Sequence, residues 1–335
     1  MLASATRVGG PYFEDLQIGD VFDDAPALTL NEGHAAMYQA TFGDRLRLPL
    51  SAPFSEAVTG TDRPYVHPLL VCHISIGQTT TITQRVRANL FYRRVVARTP
   101  VFVGDTLRTS TEVIALKQNT VREGKPATGL AALRIQTLNT RDEVILDYVR
   151  CPMLPLRDPA VVTGHHADMG AISSDITDEE ILGAIPASWD LDAFTDAMPA
   201  RAERGHVGLY EIEARETVSC APELVRVTLN LAAAHTDPGA SPYGQRLVYG
   251  GHTISLVFAQ VSRALPRLVT ILAWHICDHT GPVFEGDLIR TEAMVTAVTD
   301  RLGGGRILDV HACGFARRDN AEQLVLDWRF VALEA

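Results

Sequence analysis

Two hydrophobic rhythms alternate along the chain, and each occurs twice. Around 69–83 and again around 251–265, apolar residues surround the helix axis; in the second stretch Ile254, Leu256, Val257, Phe258 and Val261 leave little polar face. A helix that is apolar all round belongs in a core. Downstream of each, the period falls to two. Leu107, Thr109, Thr111 and Val113 alternate with polar or small residues, Ala131, Leu133 and Ile135 do the same, and Ile145 to Val149 follows; 288–298, 306–315 and 323–333 repeat the pattern. These read as antiparallel strands. One long buried helix lying on several long strands is an α+β layer, here written twice.

The duplication is visible residue by residue. Pro100-Val101-Phe102-Val103-Gly104-Asp105 and Pro282-Val283-Phe284-Glu285-Gly286-Asp287 stand 182 residues apart, and Leu146-Asp147-Tyr148 and Leu326-Asp327-Trp328 stand 180 apart. A looser echo pairs Leu70-Val71-Cys72-His73 with Leu247 to His252. Two copies of a unit of domain size indicate a duplicated domain rather than a solenoid. The expected division is 1–155, a linker at 156–205 containing Pro159, Pro186 and Pro199, and 206–335. Ahead of the buried helix, Thr29 or Asn31 can cap a helix that Gly43-Asp44 stops; in copy two a helical stretch ends near His235. Within the linker, Thr177-Asp178-Glu179-Glu180 has the spacing of a capping box, its acidic run reading as a solvated helix start.

Composition narrows the classes. The 335 residues are 46% hydrophobic and 21% charged, with a formal charge of −10, so a polynucleotide or an anionic membrane surface is disfavoured as partner. No apolar run is long enough for a membrane span, and Met1 to Gly10 lacks the pattern of a secretory signal, so a cytoplasmic protein is expected. Cys72, Cys151, Cys220, Cys277 and Cys313 are odd in number and none are paired as CxxC. They read as small buried hydrophobes rather than disulfides or zinc thiolates.

The densest polar constellation lies in copy two: Asn230, His235, Asp237, then Arg246 and Leu247-Val248-Tyr249-Gly250-Gly251-His252. Gly250-Gly251 opens the buried helix, where unpaired N–H groups and the positive end of the helix dipole can hold a developing oxyanion. A histidine with a carboxylate two residues on could transfer a proton beside it. Each part has a structural alternative: a helix-capping imidazole for His235, a turn for Asp237, tight packing for the glycines. A metal site from His235, Asp237 and His252 is the rival chemistry, weakly specified by this spacing, and no metal is expected. Cys277-Asp278-His279 and His165-His166 read as structural and solvated.

With these residues the chain resembles the MaoC-like acyl-CoA hydratases and dehydratases of the double-hotdog fold, most closely the mesaconyl-CoA hydratase (methylmalyl-CoA dehydratase) branch. The resemblance rests on Asn230, His235, Asp237 and the run Arg246 to His252, with Pro11 to Leu16 and Cys277 to Val283 in support. The family's hydratase motif places an Asp and a His five apart. Here Asn230 takes the Asp position before His235, and in copy one Asp44 is followed five residues on by Pro49. The resemblance implies a tandem hotdog, a long helix wrapped by an antiparallel sheet in each copy, that reversibly hydrates a 2-enoyl-CoA. Copy two would be catalytic and copy one would shape the acyl tunnel. Gly251, with Gly250, would polarise the thioester carbonyl. His235 or Asp237 would be the base, and Asn230 would hold either the water or the imidazole by hydrogen bonding. Tyr249, His252, Arg246, Arg93 and Arg94 are the substrate-binding candidates. The expected substrate is a short branched dicarboxylic one such as mesaconyl-CoA, the alternatives being a general (R)-specific enoyl-CoA hydratase of fatty-acid metabolism and a non-catalytic acyl-CoA-binding subunit. A short dicarboxylic acyl group would need a cation deep in the pocket, whereas a fatty chain would need an apolar tunnel. No cofactor is implied, and a homodimer of chains is expected.

Overall fold

The computed structural model describes residues 5, 6 and 8–335; the reading of Met1 to Gly10 falls partly outside them. The first copy runs β1 (Val21–Phe22), β2 (Leu28–Thr29), α1 (Glu32–Phe42), α2 (Ala52–Thr59), α3 (Pro68–Gln78), β3 (Ala88–Ala97), β4 (Thr106–Gln118), β5 (Thr128–Leu138) and β6 (Val144–Pro155). Two short helices follow, α4 (Asp178–Gly183) and α5 (Leu191–Asp196). The second copy runs β7 (Gly208–Thr217), α6 (Ala221–Val227), α7 (Gly250–Ala264), β8 (Leu268–His279), β9 (Leu288–Asp300), β10 (Arg306–Arg318) and β11 (Ala321–Glu334). All strands join one antiparallel sheet in the order β1-β4-β5-β6-β3-β8-β11-β10-β9-β7, with β2 also on β4. The copies therefore meet at β3 and β8, paired with Val95 opposite Trp274.

The two long helices are the wrapped elements expected. Every residue of α3 is buried, as is α7 from Gly251 to Ser262. Asn31 caps α1, and Gly43 ends it in the left-handed conformation. Thr177 and Glu180 form the capping box that opens α4. In copy two the expected helix near His235 is shorter: α6 stops at Val227, Leu229 has φ +58°, and Ala233–His235 is a single 3-10 turn.

The stretch 156–205 is more than a tether. Ile181, Ile185 and Phe194 pack on Val269, Leu272 and Ala273 of β8, while Leu268, Ile271 and Trp274 face the main core. Buried on both faces, β8 carries a continuous apolar run instead of alternation, which hid it in the sequence. Among the cysteines, Cys72, Cys151 and Cys277 are buried as expected; Cys220 is exposed and Cys313 half-buried, because Cys220 sits in the left-handed turn entering α6.

Hydrogen bonds fix the internal symmetry. Val66 N donates to Val101 O and Val248 N to Val283 O, both at 2.9 Å; Gln78 Nε2 donates to Leu107 O and Gln260 Nε2 to Ile289 O, both at 3.0 Å. The 182-residue spacing thus holds through the helices and matches His67-Pro68-Leu69 with Tyr249-Gly250-Gly251. The looser echo of Leu70 to His73 with Leu247 to His252 is out of register.

Candidate active site

A cleft of about 230 Å³ opens between the copies, lined by Thr80, Thr83, Arg87, Tyr92 and Arg150 from the first and Asn230, His235, Tyr249, Gly250 and His279 from the second. Its floor is held by a close approach: a Cβ on Gly77 would sit 1.7 Å from the Thr228 carbonyl oxygen, so only glycine lets α3 lie against this loop. Leu229 then turns the chain through the left-handed region, at a cost of about 1–2 kcal/mol. Asn230 follows, its Oδ1 accepting from Ala232 N at 2.9 Å, while Leu231 N donates to Thr80 Oγ1 at 2.8 Å. Copy one repeats the motif: Gly43 is left-handed, Asp44 Oδ1 accepts from Leu46 N at 2.7 Å and Arg45 N donates to Ser262 Oγ at 3.2 Å. Asn230 is thus the structural counterpart of Asp44.

His235 closes the 3-10 turn with Nδ1 2.8 Å from the Leu247 carbonyl. A carbonyl only accepts, so Nδ1 carries the proton and Nε2 keeps its lone pair. Burial pushes the imidazole down to about 4; the Leu247 bond opposes this and the Arg150 charge adds to it. His235 is therefore neutral at physiological pH, a base rather than an acid in the resting site.

Gly250 is the first residue of α7 and lines the cleft, with Tyr249 as N-cap and no side-chain cap. The amide groups at this end lack intrahelical acceptors. The glycines are also demanded by packing: a Cβ on Gly250 would lie 2.5 Å from the His279 ring, and one on Gly251 2.4 Å from the Tyr249 ring and 2.6 Å from His73 Nδ1. At the matching end of α3, Pro68 has no N–H and Leu69 N donates to His67 Nδ1 at 3.2 Å. Copy one has no open amide pair there. Its counterpart of the cleft shrinks to about 40 Å³, with Ala184 and Trp189 of the inter-copy stretch in its wall.

Several expected residues lie elsewhere. Asp237 is exposed and its Oδ1 accepts from Gly239 N at 2.8 Å, a turn that holds the carboxylate outside the cleft. His252 is buried on the far side of the helix, with Nε2 2.7 Å from Ser219 O and its ring against Phe42. His235, Asp237 and His252 thus do not converge on a metal position. Arg246 pairs with Glu285, Arg93 with Asp278 and Arg94 with Glu180; none lines the cleft, and each charge is already matched. Gly251 backs onto Tyr249 and His73, leaving Gly250 as the glycine on the cleft wall.

Sequence reasoning passed over three residues that the fold brings in. His279, read as structural, sits at the end of β8 with Nε2 buried and unpartnered, and burial pushes it down to about 4. Tyr92 and Arg150 face each other across β3 and β6. The alternation Leu146, Tyr148, Arg150, Leu154 could have flagged Arg150, since it places a charge on a face otherwise turned to the core.

Fold and cleft together define a double-hotdog protein of the MaoC-like class. A conserved hypothetical protein of Mycobacterium tuberculosis, described as a double hotdog and as essential for bacterial survival during infection, superposes with a TM-score of 0.91 and 43% identity, over 98% of this chain and 100% of that one. A MaoC domain protein dehydratase from Chloroflexus aurantiacus gives 0.79 and 27%, over 99% of each. Within that class the chain belongs to the mesaconyl-CoA hydratase family, whose model matches residues 2–269. Its relatives include a beta-methylmalyl-CoA dehydratase of Chloroflexus aurantiacus, 31% identical over 85% of this chain and 82% of the relative. A mesaconyl-CoA hydratase of Cereibacter sphaeroides is 32% identical over 89% and 87%.

Proposed function

We propose that this chain catalyses the reversible hydration of a short, branched, dicarboxylic 2-enoyl-CoA, of which mesaconyl-CoA giving methylmalyl-CoA is the type. The observation that carries this reading is the pairing, in one cleft, of a neutral imidazole fixed through Nδ1 with an uncapped helix N-terminus at Gly250. His235 Nε2 takes a proton from water and the hydroxide adds to the β-carbon. Negative charge moves to the thioester oxygen, where the Gly250 amide and the helix end stabilise it. Collapse of the enolate then takes the proton from the imidazolium onto the α-carbon, so one water is added and His235 returns to its resting state. Asn230 positions the water. Asp237 drops out as base, since its exposed turn keeps it from the imidazole. The same chemistry in reverse dehydrates the hydroxyacyl thioester.

Cytoplasmic residence and a homodimer belong to the same proposal. The first is supported by five thiols that form no disulfide, the second by β7, whose open sheet edge leaves Leu209 exposed. Among the described residues no helix is long and apolar enough to cross a membrane.

The test follows loss of the enoyl-thioester ultraviolet absorbance on mesaconyl-CoA and crotonyl-CoA. His235→Ala should lower kcat/KM by about 10²–10⁴. Full activity in that variant would refute the assignment, and preference for crotonyl-CoA would shift the substrate to that of a general enoyl-CoA hydratase.

A further inference from the structure

Arg150 stands on the inward face of β6, between Tyr148 and Leu154 of the main core, and is only 4% exposed. Its Nη2 donates to Thr83 Oγ1 at 2.5 Å, and its Nε is buried without a partner. Among the described residues it forms no ion pair, unlike Arg93, Arg94 and Arg246. A guanidinium always carries its charge, so a buried one calls for an anion.

The duplication shows that the fold does not need this charge. Arg150 pairs with Tyr92 across β6 and β3; in copy two the pair facing each other across β11 and β8 is Phe330 and Trp274. Tyr92 and Trp274 keep the 182-residue spacing, so Phe330, fully buried beside Trp328, is the counterpart of Arg150. An aromatic side chain satisfies the position in one copy. A cation holds it in the copy whose wall belongs to the open cleft, together with His235 and Gly250.

We propose that Arg150 is the specificity-determining residue of this site and receives a second carboxylate, on the acyl group of the thioester, through its planar fork of donors. The proposal rests on the acyl-CoA reading above. It makes the site selective for acyl groups ending in a carboxylate over those ending in a methyl of similar size.

Binding of succinyl-CoA and butyryl-CoA, measured by calorimetry, tests this without requiring turnover. The two thioesters share every phosphate and differ in the terminal carboxylate. Wild-type protein should prefer succinyl-CoA by about 10- to 100-fold, the range expected for a charged hydrogen bond. Arg150→Met should erase the preference while its melting temperature holds or rises, because an unpaired buried charge has been removed. Equal binding of both thioesters by the wild type, or equal weakening of both in the variant, would overturn the proposal, the latter placing Arg150 on a phosphate. If Arg150→Met does not fold, Arg150→Lys takes its place, with a reduced preference expected and an undiminished one overturning the idea. Discrimination by a wild type that hydrates neither mesaconyl-CoA nor its methyl counterpart tiglyl-CoA would uphold the carboxylate subsite and bring down the hydratase reading instead.

Discussion

Gly77→Ala probes the contact on which the cleft is assembled. The added Cβ would lie 1.7 Å from the Thr228 carbonyl oxygen and 2.8 Å from its carbon, both backbone atoms that no rotamer change can move. Real Cβ atoms essentially never come within 3.0 Å, so α3 and the 228–231 loop must separate by about 1.3 Å. Overpacking of this kind costs about 1–3 kcal/mol, and the better helix propensity of alanine returns up to about 1. A net loss of about 1–2 kcal/mol lowers the melting temperature by a few degrees. The catalytic effect should be larger. The displaced loop carries Asn230 and is tied, through the Leu231 amide and Thr80, to the turn that follows α3, and a shift of about 1 Å in a reacting group can cost about 10² in rate. Calorimetric melting and hydratase kcat/KM measured together provide the assay. Gly183→Ala is the control, since a Cβ there meets nothing within 4 Å and should leave both quantities unchanged. Gly77→Ala with wild-type melting and wild-type turnover would refute the argument that this approach sets the site.

The other expectations concern charge. Burial holds His73 at about 3 and His235, His252 and His279 at about 4, below their value of about 6.5 in the unfolded chain. Between these limits the unfolded state binds more protons. Stability is therefore full above about pH 6.5 and falls as the pH drops towards 4, by up to about 1.4 kcal/mol per pH unit for each histidine. Circular dichroism should record unfolding between about pH 6 and 4, and unchanged melting at pH 4 would contradict the burial argument. Asp237→Asn should change kcat/KM by less than about threefold, because the amide oxygen keeps the turn to Gly239; a hundredfold fall would return the carboxylate to the chemistry.

Much of this architecture was legible in the sequence, and the gaps have physical causes. Alternation located β4, β5, β6 and their copies, and helices apolar on all sides located α3 and α7. The central pair escaped because both strands are buried on both faces: β8 as described, and β3 with Tyr92 and Val95 in the main core and Val96 in the opposite one, its register shifted twice against β6, so neither alternates cleanly. At the site, residues next to one another in sequence diverged. Asp237 lies two positions from His235 yet points to solvent, since the turn that delivers the imidazole spends the carboxylate on Gly239. Arg150 and His279, remote from that motif, arrive through strand register, which a motif search does not see.

The Arg150 and Phe330 pair also bears on why two copies share one chain. A dimer of identical single units must present the same residue at both symmetry-related positions, so a cation chosen for one cleft would be imposed on the other, where here the core of α7 is packed. Joining the copies in one gene releases that constraint. One position becomes polar while its twin becomes aromatic, one helix end stays open while its twin takes a proline, and a single working cleft is assembled from both. Neither half carries all of its residues, so separately expressed halves would have to recombine in the unlike pairing to restore it.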